Sequence, residues 1–207
     1  MDARLADARL YLVCPQIEPA RLEAALDGGV DVVQLRMKEA GDDAILREAA
    51  WMREACAARG VPFLLDDDPA LAARAGADGV HVGQDDAPVA DARAALAADG
   101  LVGLSTHAPE QLAAGLAVAP DYVAAGPVWA TPTKPGRPAV GLEYVRHVAA
   151  HAGDVPWFAI GGIDAETVHA VVEAGAERVV VVRAITESPD PAAAAAHLRA
   201  ATLGAVV

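Results

Sequence analysis

Only two of the sixteen Lys and Arg side chains are lysines, Lys38 and Lys134. Each stands just beyond a short apolar run, the first in QLRMK (34–38) and the second in GPVWATPTKPG (126–136). A compact ammonium on a flexible stem suits a phosphate that changes position or charge during a reaction, whereas a guanidinium suits a fixed, bidentate partner. Gln34 and Arg36 flank Leu35, so an extended backbone turns both to one face and leaves Lys38 in the loop that follows. Aspartates gather at two comparable places, Asp66, Asp67 and Asp68 in DDDP and Asp85 and Asp86 in GQDD. Carboxylates close to phosphate-directed cations are how Mg²⁺ is usually held, through one or two protein oxygens and the substrate's own phosphates. Helix capping is the other common use of such residues. Asp68 and Asp85 are read as caps or loop residues, and Asp67 and Asp86 as the metal pair.

A second group is poor in charge. The glycines of IGGI (160–163) leave backbone N–H groups open to a phosphate, although a glycine pair after a strand can equally be only a turn. VRAI (182–185) follows the last apolar run. Ser105 and His107 belong to STH (105–107), and His81 lies in GVHV (79–82). Both histidines are read as structural hydrogen-bonding groups, as a lone strand-end His more often is. Nothing around Ser105 or Cys14 forms a nucleophile–base motif, and no His/Cys spacing matches a zinc set. The residues therefore describe two anion sites. One gathers Arg36, Lys38, Lys134 and Mg²⁺, the other IGGI and VRAI, which is a transferase-like arrangement.

These groups must be positioned by the elements before them. Eight strand-like runs alternate with Ala-rich stretches: 10–14, 32–36, 62–66, 79–82, 102–105, 122–126, 157–160 and 179–182. Several lack polar alternation, as strands covered on both faces do. Between them, 45–60, 88–99, 109–118, 142–152, 165–175 and 191–200 carry apolar residues at three- and four-residue spacing and are expected to be amphipathic helices. LDGGVDVVQ (26–34), ARAGADGVHV (73–82) and VEAGAERVVV (172–181) repeat one layout of helix end, glycine turn and strand. Eight such units, with no GxGxxG after the first strand, predict an α/β fold: a single TIM (β/α)8 barrel over 1–207, with its active site on the loops after the strands.

Composition agrees. Hydrophobic residues make up 54% of the 207 residues and aromatics 4%, so the core is expected to be mostly Ala, Val and Leu. A formal net charge of −13 argues against a nucleic-acid or anionic-membrane surface. Cys14 and Cys56 form no CxxC pair, which suits buried small residues and a reduced, cytoplasmic setting. The first ten residues offer no apolar leader, and no run approaches the length of a membrane span.

QLRMK, VHVGQDD, STH, GPVWATPTKPG, VGLEY, WFAIGGI and VVRAI, in this order, resemble the thiamine phosphate synthase family over nearly the whole chain. TPTK followed by GL and IGGI is the most specific part. The resemblance implies an enzyme that uses Mg²⁺ to join hydroxymethylpyrimidine diphosphate to thiazole phosphate, by a dissociative displacement that releases pyrophosphate. It assigns the pyrimidine diphosphate to Gln34, Arg36, Lys38 and Asp66, with Ser105 and Lys134 completing that pocket. Lys134, Arg36 and Ser105 are the catalytic positions. Asp67 and Asp86 would hold Mg²⁺. Thr131, Pro132 and Thr133 would contact the thiazole phosphate, joined by Gly162, Val182 and Arg183.

Three positions depart from the family pattern. Asp66-Asp67-Asp68 stands where Asn-Asp-Arg is usual, Met37 replaces an acidic residue, and Cys14-Pro15 replaces a frequent Thr-Asp. Asp66 puts a carboxylate where a neutral diphosphate contact is expected, which is repulsive unless it is protonated or binds the metal. Two rival readings follow: a thiazole tautomerase, which would need His107 as proton carrier, and a non-catalytic thiazole phosphate binder. A homo-oligomer is compatible with the sequence.

Overall fold

The computed structural model describes residues 2–131 and 138–204. Eight parallel strands close into a barrel in chain order: β1 (Leu10–Cys14), β2 (Val32–Leu35), β3 (Phe63–Asp66), β4 (Gly79–Val82), β5 (Leu101–Thr106), β6 (Tyr122–Ala125), β7 (Trp157–Ile160) and β8 (Val179–Val181). All eight coincide with the apolar runs of the sequence to within one or two residues. The helices are α1 (Ala3–Ala6), α2 (Pro19–Asp27), α3 (Asp42–Ala57), α4 (Pro69–Ala75), α5 (Val89–Ala95), α6 (Pro109–Ala117), α7 (Gly141–His151), α8 (Val168–Glu173), α9 (Arg183–Thr186) and α10 (Pro191–Leu203). The expected (β/α)8 barrel is present.

Helix starts follow local chemistry. Pro19, Pro69, Pro109 and Pro191 open four helices, where a missing N–H costs nothing. Asp68 caps α4 by accepting from the Leu71 amide at 2.9 Å, as its reading as a cap anticipated. The repeated sequence layout also acquires a cause. Asp31 and Asp78, at equivalent places in two of the repeats, accept from the amides of Leu10 and Phe63 at the start of the preceding strands. Asp121 does the same for Val102. Part of the acidic surplus thus holds the closed end of the barrel, where fixed residues serve stability.

Two cores result. Between strands and helices the packing is Val, Leu and Ala, with Met52 and both cysteines among them. Inside the barrel, Tyr11, Tyr122 and Phe158 pack edge to face, with ring centroids 5.5 to 5.8 Å apart. Gly103 makes that floor possible, because a Cβ there would lie 2.1 Å from the Tyr122 ring. The composition suggested a core mostly of Ala, Val and Leu, which holds between strands and helices, whereas three aromatic rings fill this interior layer.

Candidate active site

Above the aromatic floor opens a cavity of about 550 Å³, within the range of small-molecule sites. Gln34, Arg36, Asp66, Ser105, Thr131, Gly162, Val182 and Arg183 line it, so most of the expected substrate residues meet at one place. Lys38, Asp67 and Asp86 stand outside that lining. Pro132, Thr133 and Lys134 lie outside the described residues.

On the β2–β4 arc the site is built from side chains. Gln34 is buried, and its Nε2 donates to Asp66 Oδ1 at 3.0 Å. Arg36 Nε lies 3.1 Å from Asp66 Oδ2 and Lys38 Nζ 3.3 Å from the same oxygen. The Arg36 contact is an ion pair without hydrogen-bond alignment. Lys38 also pairs with Asp67. Asp66 therefore faces cations of its own chain, a third outcome beside protonation and metal binding.

The backbone explains how three consecutive aspartates take three directions. Asp67 has φ +64°, in the left-handed region that Asp tolerates better than most residues, and its amide donates to the His81 carbonyl at 2.8 Å. The reversal leaves Asp66 in the barrel, turns Asp67 toward Lys38 and delivers Asp68 to its cap. On the neighbouring loop, Asp86 Oδ2 accepts from the Gly83 amide at 2.7 Å, and Asp85 is exposed.

The β6–β8 arc is built largely from backbone. The segment after β6 is stitched to the end of β7, with the Val128 amide donating to Ile160 O at 2.8 Å and Trp129 to Gly161 O at 3.1 Å. That approach needs glycine. Gly161 (φ +105°) would put a Cβ 2.5 Å from Pro127, and Gly162 (φ +69°) would put one 2.9 Å from Trp129 Cβ. Thr167, whose hydroxyl lies 3.1 Å from the Gly162 carbonyl and 2.9 Å from Asp164 Oδ1, steadies this turn. Sequence reasoning did not single out Thr167 or Asp164. A short Asp-x-x-Thr after the glycines was the available signal.

Ser105 is not alone either. His81 Nε2 lies 2.8 Å from Ser105 Oγ, and His81 Nδ1 lies 3.0 Å from Tyr122 Oη. A serine–histidine contact thus exists without a local motif, because adjacent strands supply its two members. His81 is a structural hydrogen-bonding group, as read. His107 pairs its Nδ1 with the Gly126 carbonyl, which engages the nitrogen on that side of a would-be proton carrier. Burial pushes the Cys14 thiol far up and the Cys56 thiol up to about 12, so neither is a nucleophile at neutral pH.

The acidic loops suit a hard cation in chemistry. Asp67 and Asp86 offer oxygen donors on loops after neighbouring strands, and the Lys38 ammonium already rests among the carboxylates beside them. Among the described residues no three His, Cys, Asp or Glu side chains converge on one point. Two carboxylates plus substrate oxygens meet the requirement of Mg²⁺, which keeps much of its shell from water and phosphate.

Comparison with known proteins places this geometry in a family. Residues 10–185 match the family model described as thiamine monophosphate synthase. The thiamine-phosphate synthase of Acidothermus cellulolyticus is 50% identical over 206 residues, covering 97% of each chain. That of Thermus thermophilus is 52% identical over 198 residues, covering 92% of this chain and 95% of its own. Among solved structures, thiamine phosphate pyrophosphorylase from Pyrococcus furiosus superposes with a TM-score of 0.87 at 25% identity, over 100% of both chains. Among the described residues, no helix is long and apolar enough to cross a membrane. The chain belongs to the thiamine monophosphate synthase family, whose members are transferases of thiamine biosynthesis.

Proposed function

We propose that the protein condenses hydroxymethylpyrimidine diphosphate with thiazole phosphate to give thiamine monophosphate and pyrophosphate, with Mg²⁺ as cofactor and in the cytoplasm. The observation that supports the reading is the pairing of two unlike arcs across one cavity: Arg36 on one side, with Lys38 beside it on the shared Asp66 carboxylate, and the glycine turn and Arg183 on the other. Two reactants with separate phosphate groups need two such places.

In the proposed reaction the bond from the pyrimidine methylene carbon to the diphosphate oxygen breaks, and its electron pair leaves with pyrophosphate. The methylene cation is then captured by the thiazole nitrogen lone pair. The chain's task is to stabilise charge on the leaving group and to hold the two reactants in line. Arg36 and Lys38 exchange their contacts with Asp66 and Asp67 for the diphosphate, so the cations are held in place before substrate arrives. Gln34 and Ser105 orient the pyrimidine half within the barrel. Gly162, Val182 and Arg183 receive the thiazole phosphate, together with Thr131, Pro132 and Thr133, and Lys134 completes the diphosphate pocket. Mg²⁺, held by Asp67 and Asp86, supplies neutralising charge to the diphosphate when bound.

Titration calorimetry separates this reading from a non-catalytic binder. The synthase binds the pyrimidine diphosphate in a Mg²⁺-dependent manner and thiazole phosphate without that dependence. Tight binding of thiazole phosphate alone, with no response to diphosphate or Mg²⁺, contradicts the proposal.

A further inference from the structure

Four hydrogen-bonding side chains stand in series inside the barrel, and the roles given above use only the last. Tyr11 Oη lies 2.9 Å from Tyr122 Oη, Tyr122 Oη 3.0 Å from His81 Nδ1, and His81 Nε2 2.8 Å from Ser105 Oγ. All four residues are buried. The Tyr122 ring occupies the space left by Gly103 and lies beside the His81 ring, so packing as well as hydrogen bonding fixes the series.

Two directions could satisfy such a chain. In the first, Ser105 donates to His81, His81 to Tyr122, and Tyr122 to Tyr11. The Tyr11 proton is then left without a protein acceptor, because Tyr122 is its only hydrogen-bond partner among the described residues, and a donor left unmade on a buried side chain is strongly unfavourable. In the second, Tyr11 donates to Tyr122, Tyr122 donates to Nδ1, and the Nε2–H of His81 donates to Ser105. Every proton of the core is used. The one left over belongs to Ser105, at the cavity wall. A doubly protonated His81 fails as the first direction does, since an Nδ1–H turns Tyr122 back onto Tyr11. Burial also raises the titration of both phenols, Tyr11 and Tyr122, which keeps their protons in place.

We propose that Tyr11, Tyr122 and His81 form a directional relay that holds His81 as the Nε2–H tautomer and so fixes Ser105 as a hydrogen-bond donor to an uncharged acceptor on the pyrimidine ring. His81 and Tyr122 are positioning residues, and Tyr11 sets the direction. The relay delivers a neutral donor, whereas the cations suited to the diphosphate gather at Arg36 and Lys38. The substrate half of this inference rests on the function proposed above, but the tautomer half does not.

The test begins on the unliganded protein labelled with ¹⁵N-histidine, with His81 identified among the six histidines by its loss in His81→Gln. Ring-nitrogen shifts at neutral pH are expected to report Nε2–H for His81. An Nδ1–H tautomer or an imidazolium overturns the relay, whatever the enzyme's activity. Tyr122→Phe then breaks the chain at its centre. It is expected to lower kcat/KM for the pyrimidine diphosphate by about tenfold with the KM for thiazole phosphate unchanged, and adding Ser105→Ala should cost less than it does alone. Equal losses from Ser105→Ala in both backgrounds contradict the relay. Should Tyr122→Phe fold poorly, Tyr11→Phe keeps the ring and removes only the proton that sets the direction. A mixture of His81 tautomers is expected there, and an unchanged spectrum overturns the proposal. Absence of any coupling by wild type would remove the proposed function and leave the tautomer measurement standing.

Discussion

In the proposed reaction the two arcs of the barrel mouth bind anions by different means. After β2 and β3, recognition rests on charged side chains, Arg36 and Lys38, already engaged with Asp66 and Asp67. After β7 and β8 it rests on a turn that only glycine can make, held against the segment after β6 by backbone hydrogen bonds. The first arrangement can release and exchange, because an ion pair gives way to a more highly charged partner. The second is rigid and has little to exchange. That division suits a reaction in which one phosphate group departs and the other is carried through to the product.

Separate substitutions on the two arcs should separate the two substrates. The largest effect is expected from Arg36→Ala, which removes a guanidinium from the diphosphate and leaves Asp66 with less compensation. A fall of about 10² to 10³ in kcat/KM for the pyrimidine diphosphate is expected, with thiazole phosphate affinity nearly unchanged in titration. Equal loss for both substrates would show that the arcs are not separate.

Gly162→Ala probes the other arc. Its left-handed backbone should cost about 1–2 kcal/mol of stability, read as a lower midpoint in chemical denaturation. The Cβ contact with Trp129 should weaken thiazole phosphate about tenfold, the equivalent of about 1.4 kcal/mol. Diphosphate binding should stay as it was.

The smallest and most specific effect belongs to Asp66→Asn, which returns the residue usual in the family. It frees Arg36 and Lys38 from a competing carboxylate while keeping an acceptor for Gln34. Affinity for the diphosphate should rise roughly three- to tenfold, as expected for a largely buried carboxylate whose ion pairs must be broken first. A loss of affinity would show that Asp66 does more than hold the cations.

The same contrast explains what the sequence disclosed. All eight strands were legible, because a barrel strand is buried on both faces and reads as an apolar run. The four-residue helices α1 and α9 were not, since one turn carries no periodic signal. Nor were α2 and α4, whose starts are marked mainly by Pro19 and Pro69. On the charged arc, residue types pointed to Gln34, Arg36, Lys38 and the aspartates. Three identical letters could not say that a left-handed Asp67 would send their side chains three ways. On the backbone arc, the glycines were visible as a turn, but their fit against Pro127 and Trp129 depends on a contact between strand ends. The relay was the least legible part. Tyr11 and Tyr122 are 111 positions apart, and only closure of the barrel brings their hydroxyls together.

The coupling reaction itself decides whether the two arcs serve one condensation. Purified protein is incubated with hydroxymethylpyrimidine diphosphate and thiazole phosphate, with Mg²⁺ or with chelator, and thiamine monophosphate and pyrophosphate are both quantified. Equal amounts of the two products are expected, formed with Mg²⁺ and abolished by chelation. No thiamine monophosphate under conditions in which a control synthase turns over, or product formation indifferent to chelation, would contradict the proposed function.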